Sequence, residues 1–144
     1  MKKINNKGFT LMEVLAVVVI IAILAGLAVP NILRMIDTSK KEKFITDAKQ
    51  VIAKAKYYYK NTEDTEITLN ELGIDLGQSP LDSDSTYDKI NSKVEVVNNS
   101  GTLTYSIYLT DGTYCTKMKD PSTNEEIFSI AESNLKNDVV QKCS

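Results

Sequence analysis

KGFTLMEVLAVVVIIAILAGLAVPNILR, residues 7–34, places one carboxylate, Glu13, at the edge of a long uncharged run. From Gly8 to Leu33 there are 26 residues, and only Thr10, Glu13 and Asn31 are strongly polar. As a helix the run reaches about 39 Å at roughly 1.5 Å per residue. A hydrocarbon core is about 30 Å thick. Lys2, Lys3 and Lys7 precede the run, which favours a cytosolic N-terminus. Arg34, Lys40, Lys41 and Lys43 on the far side weaken that signal. A secretory signal removed after Ala28 would place small residues, Gly26 and Ala28, where a peptidase inspects them. It leaves Glu13 unexplained. A plain signal anchor would hold Glu13 near the interface.

Beyond the run the pattern stays helical. Phe44, Ile45, Ala48, Val51, Ile52, Ala55, Tyr58 and Tyr59 follow the three-and-four spacing of one apolar face. Lys40, Lys41, Lys43, Asp47, Lys49, Lys54 and Lys56 fill much of the remainder, as a solvated face. Pro30 lacks an amide hydrogen and opposes the carbonyl of Gly26, four residues back. A bend or local unwinding is expected near 26–30. A helix from about 10 to 60 would be half apolar all round and half amphipathic. That suits a subunit which buries its apolar half among copies of itself.

The remainder reads as a small covering domain. Thr68-Leu69-Asn70-Glu71 has the form of a capping box, with Gly73 as a stop. Residues 77–88 read as a polar loop. Strands are expected over 93–98, 102–110 and 113–118, with turns at Asn98–Gly101 and Asp111-Gly112. These three antiparallel strands would cover the 44–59 stripe. Residues 125–142 mix strand and helix signals. Asp82-Ser83-Asp84 is read as a solvated loop, not a calcium site. Asn98-Asn99-Ser100 is read as a turn despite its glycosylation pattern.

Composition narrows function. The 144 residues contain no histidine, the commonest general base and metal ligand. No dinucleotide fingerprint, phosphate loop or metal-spaced cysteine pair is present. No catalytic residue, cofactor or metal is expected, so the chain is not read as an enzyme. The formal net charge of −2 gives no basic surplus for nucleic acid, and no specific nucleic-acid partner is expected. Cys115 and Cys143 leave room for one disulfide or two free thiols.

KGFTLMEV resembles the prepilin processing motif of the type IV filament superfamily, with Lys7-Gly8, Phe9, Glu13 and then an unbroken apolar stretch. The resemblance is close over residues 1–35 and only architectural afterwards. It implies an α+β type IV pilin fold, a long N-terminal helix packed on a small antiparallel sheet of about three strands. It divides the chain into a leader, 1–8, an apolar transmembrane and filament-core half-helix, 9–34, and a globular domain, 35–144. It implies cleavage after Gly8 by a prepilin peptidase, N-methylation of Phe9, a helix bend at Gly26 and Pro30, and a Cys115–Cys143 bridge. It also supplies a reason for Glu13. A carboxylate at a bilayer centre costs about 2.5–3.5 kcal/mol, less near the edge. A unit pair 4 Å apart gains on the order of 4 kcal/mol at an effective dielectric of 20. The partner would be the Phe9 amine of a neighbouring subunit, or of the same chain.

The function so implied is a structural pilin of a bacterial type IV pilus, serving adhesion, surface motility or aggregation. Its partners would be other pilin subunits, the peptidase and methyltransferase, membrane lipid before assembly, and an inner-membrane platform with cytosolic ATPases. The chain would cross the cytoplasmic membrane once and then stand on the cell surface. The alternative is a pseudopilin of a type II secretion or competence system. Without Lys2, Lys3 and Lys7 the chain has 14 basic against 19 acidic residues, which disfavours broad DNA binding.

Overall fold

A computed structural model describes residues 9–143. It consists of two units, one ending at Ile36 and one beginning at Asp37. Helix α1 runs Leu11–Thr62 and contains Pro30. Its helical conformation continues through Gly26 and Pro30.

In the first unit every described residue, Phe9 to Ile36, is exposed. The helix is long and apolar enough to cross a membrane by length and composition. Nothing within this unit covers its side chains.

The second unit has an α+β core. The buried helix face is Phe44, Ile45, Asp47, Ala48, Val51, Ile52 and Ala55. That is the expected stripe with one correction. Asp47 is not on a solvated face but 6% exposed. Tyr87 Oη donates to Asp47 Oδ2 at 2.8 Å, and Lys43 Nζ lies 3.4 Å from the same oxygen. A buried carboxylate is tolerated when it is so partnered.

After the helix come β1 (Glu66–Thr68) and α2 (Leu69–Leu72), then β2 (Lys93–Asn99) and β3 (Thr102–Tyr108). β4 (Tyr114–Thr116), β5 (Met118–Lys119), β6 (Glu126–Ile127), β7 (Ile130–Ala131) and β8 (Val140–Lys142) follow. The main sheet is antiparallel with strand order β1-β2-β3-β7. Val94 pairs with Ile107 in register, both fully buried, and they join the core with Ile67, Leu109 and Ile130. Burying each such side chain contributes about 1.5–3 kcal/mol. The β2–β3 hairpin closes through Ser100 and Gly101, with φ of 52° and 91°. Two left-handed residues suit the twist of a two-residue hairpin. That conformation strains Ser100 and not Gly101.

The sheet departs from the expected three strands at both edges. Glu66–Thr68 and Ile130–Ala131 supply short edge strands, while the expected third strand turns away. Thr110 still faces Cys115 across the Asp111-Gly112 turn in an isolated bridge. β4 then pairs with β8, and β5 with β6. Pairings of two or three residues carry too little pattern to be read in advance.

Candidate processing and assembly site

The site begins where α1 begins. The first amides of a helix have no intrahelical acceptor, so a side chain must supply one. Thr10 precedes the first helical residue, and its Oγ1 accepts from the Glu13 amide at 3.2 Å. Glu13 reaches back in return. Its Oε2 accepts from the Thr10 amide at 2.8 Å and from the Thr10 hydroxyl at 2.9 Å. This is a reciprocal capping box. Among the described residues no donor reaches Oε1 of Glu13. One oxygen is thus used by the chain's own helix start, and one is open.

The same device recurs in the second unit. Thr68 Oγ1 accepts from the Glu71 amide at 3.3 Å, and Glu71 Oε2 accepts from the Thr68 amide at 2.7 Å. The Thr68 amide, then its hydroxyl, holds the Glu71 carboxyl below the usual range. Sequence reasoning recognised the Thr-x-x-Glu spacing at 68–71 and missed it at 10–13. The signal was identical, but the apolar run drew attention to the charge of Glu13 alone.

Phe9 lies outside the helix, 86% exposed, on the same side as Glu13, Val14 and Val17. Phe9 stands two positions before the first helical residue, Leu11, and lines one hollow with Glu13. Gly8 and the preceding leader lie outside the described residues. Further along, a Cβ added to Gly26 would meet nothing within 4 Å. Asn31 Nδ2 donates to the Leu27 carbonyl at 3.3 Å, one residue past the carbonyl that Pro30 leaves without an amide donor.

In the second unit Cys115 and Cys143 are joined in a disulfide. It reinforces the β4–β8 pair, and the Cys143 amide donates to the Thr113 carbonyl at 3.0 Å. The loop containing Asp82-Ser83-Asp84 is tied to the same corner. Asp82 accepts from the Asp84 amide at 3.1 Å, Ser85 Oγ at 2.9 Å and Thr113 Oγ1 at 3.1 Å. Those donors, the Asp84 amide first, hold its carboxyl below the usual range. Ser79 donates to Asp111 beside it. Asp82 and Asp111 thus serve as acceptors that shape turns.

The family model for the prokaryotic N-terminal methylation motif matches residues 3–29. The chain carries a prepilin-type N-terminus. A type IV major pilin protein, PilA, of Myxococcus xanthus is 35% identical over 69 residues, 48% of this chain and 31% of that protein. Type II secretion system core protein G of Vibrio cholerae is 48% identical over 48 residues, 33% of each chain. The counterpart in Klebsiella michiganensis is 40% identical over 47 residues, again 33% of each. The chain thus spans about a third of the length of the relatives it matches. No solved structure matches it. The prepilin-type segment contains Phe9, Thr10 and Glu13, so the capping box lies inside the matched region.

Proposed function

We propose that this chain is a structural pilin of a bacterial type IV pilus, built into a filament through its N-terminal helix. One observation carries the reading. A prepilin-type N-terminus opens a helix whose side chains from Leu11 to Ile36 are all uncovered in the single chain. Apolar surface of that extent needs lipid or other copies around it. The leader 1–8 is removed after Gly8 by the prepilin peptidase, and the new Phe9 amine is methylated. The half-helix 9–34 crosses the cytoplasmic membrane once before assembly and forms the filament core afterwards, with a bend at Gly26 and Pro30. The domain 35–144 faces outward. Glu13 meets the Phe9 amine of a neighbouring subunit. A membrane platform with cytosolic ATPases drives extension, and the pilus serves adhesion, motility or aggregation.

Mass spectrometry of sheared surface filaments tests this. The chain should be abundant, begin at a methylated Phe9 and contain residues 9–144. A mature chain beginning at Val29 would overturn the reading in favour of a secretory signal. The relatives named core protein G favour a second reading, a pseudopilin of a secretion system. Deleting the gene separates the two. A pilin deletion removes surface filaments and leaves secretion intact, and a pseudopilin deletion does the reverse.

A further inference from the structure

The two halves of the Cys115–Cys143 bond stand in different surroundings. Cys115 lies inside β4, opposite Gln141, and is fully buried. Cys143 follows the end of β8 and is half-buried. Thr110, itself buried, brings its Oγ1 to 3.5 Å from Cys143 Sγ. Cys143 also lines a hollow of about 490 Å³ with Lys93, Glu95, Tyr108, Phe128 and Ser129. That volume is in the range that takes a small molecule.

The walls of the hollow are held by one another. Lys93 Nζ lies 2.8 Å from the Glu66 carboxylate and 3.3 Å from that of Glu95. Ser129 Oγ donates to Glu95 Oε2 at 2.9 Å. Tyr108 and Phe128 meet edge to face, their ring centroids 5.9 Å apart. Thiol–disulfide exchange requires a thiolate to reach one sulfur of the bond, and access decides which. In the folded chain the approach to Cys143 is open and Cys115 is enclosed. Burial also raises the pKa of a thiol, which makes Cys115 the poorer first nucleophile once the pair is reduced.

We propose that Cys143 is the entry cysteine of this bond and Cys115 the resolving one, and that the hollow beside Cys143 admits the external thiol or disulfide that opens or closes it. In opening, an external thiolate attacks Cys143 Sγ. The bond to Cys115 breaks, a mixed disulfide forms on Cys143, and Cys115 leaves as a thiolate. In closing, the Cys143 thiolate attacks an external disulfide and expels one thiolate. The Cys115 thiolate then attacks Cys143 Sγ and expels the second. Two electrons pass from the cysteine pair to the external disulfide, and the two thiol protons end on the expelled thiolates. The resolving step is intramolecular, since the two Cα atoms are 5.5 Å apart. The last strand, β8, is thus fastened and released from one sulfur. This goes beyond the filament reading and stands without it.

The test uses the full chain in detergent micelles, with glutathione as the probe. The oxidised wild-type chain is treated briefly with reduced glutathione, quenched with acid, alkylated and mapped by mass spectrometry. Glutathione should sit on Cys143 and the alkyl label on Cys115, by about tenfold or more over the reverse. Oxidised glutathione should modify Cys143 in Cys115→Ser at least about thirtyfold faster than it modifies Cys115 in Cys143→Ser. Denaturant should bring the two rates together. Adduct on Cys115, or equal native rates in the single variants, overturns the proposal. Two mild changes test the hollow as the route, both in the Cys115→Ser background. Lys93→Gln should slow the native reaction of Cys143 with this anionic probe about twofold at low salt, and Glu95→Gln should speed it by a similar factor. Simple loosening of the fold would speed both. Rates that both rise, or that match the unaltered lining, overturn the hollow as the way in. An oxidoreductase with a Cys-x-x-Cys loop, its second cysteine replaced by serine, should be trapped on the same sulfur. Faster trapping than by glutathione supports entry by a protein, and slower trapping supports entry by a small thiol.

Discussion

Thr10 and Glu13 hold each other at the start of α1, the threonine donating twice to Oε2 while its own oxygen accepts the Glu13 amide. The carboxylate therefore has two separable properties. It is an acceptor that caps a helix, and it is a negative charge. Glutamine retains the first and removes the second; valine removes both. Glu13→Val and Glu13→Gln should both be cleaved after Gly8 and accumulate as processed membrane chain with few filaments. They should differ in amide hydrogen exchange, with the first helical turn slower in the glutamine variant. Normal filament numbers from either variant would show that charge at this position does not recruit subunits.

Processing should depend on residue size at Gly8. Gly8→Leu should leave the leader attached and the chain in the membrane, with an intact mass that includes residues 1–8. Thr10→Ala should still be cleaved, because it alters the helix cap and not the cut bond. Appearance of Phe9 as the N-terminus of Gly8→Leu would place recognition elsewhere.

Removing residues 1–34 should give a soluble monomer, since the stripe from Phe44 to Ala55 is already covered by the sheet and the loop. In that chain Tyr87→Phe should destabilise by roughly 1–3 kcal/mol, because Asp47 loses a buried hydrogen bond. Denaturant midpoints measure this. Aggregation with the fold intact would mean that the stripe has another partner.

The same pair makes a pH prediction. Burial, then the Asp47 hydrogen bond and charge, push the Tyr87 phenol far above its ordinary range. The folded state therefore keeps a proton that the unfolded state releases from about pH 10 upward. The stabilisation is fully present below that pH and declines as pH rises through it. Tyr87→Phe should show a shallower alkaline loss of stability than wild type. Identical alkaline slopes would separate the phenol from this effect.

Reducing the Cys115–Cys143 bond should lower stability by about 2–4 kcal/mol in the chain-entropy model. The loss should concentrate at β8, whose amides should exchange faster. Cys115→Ser with Cys143→Ser should reproduce the reduced chain. Unchanged exchange at Val140–Lys142 would show that strand pairing alone holds the C-terminus.

Patterns dense in sequence were legible. The helical stripe, the Thr68–Glu71 box and the Ser100-Gly101 hairpin each combine several residues at fixed spacing. Asp47 was misread because a carboxylate among lysines looks solvated, and only Tyr87, 40 residues away, makes its burial tolerable. The edge strands were illegible for a related reason. Glu66–Thr68 and Ile130–Ala131 are too short to alternate, and their pairing is decided by the sheet they join. At the N-terminus the charge of Glu13 was legible, while its capping partner was overlooked within four residues.

In the proposed filament the chain would bear load, and the disulfide sets how far it can be drawn out. The two cysteines are 28 positions apart. Pulled between α1 and its C-terminus, the oxidised chain cannot release the stretch between them. At about 3.4 Å per extended residue, that withholds on the order of 95 Å of contour length. Force spectroscopy should record that shortfall, and a reductant should return it. An oxidised subunit that yields would lengthen its fibre by a bounded amount, so the bond acts as a limit on mechanical give as well as a brace for the fold.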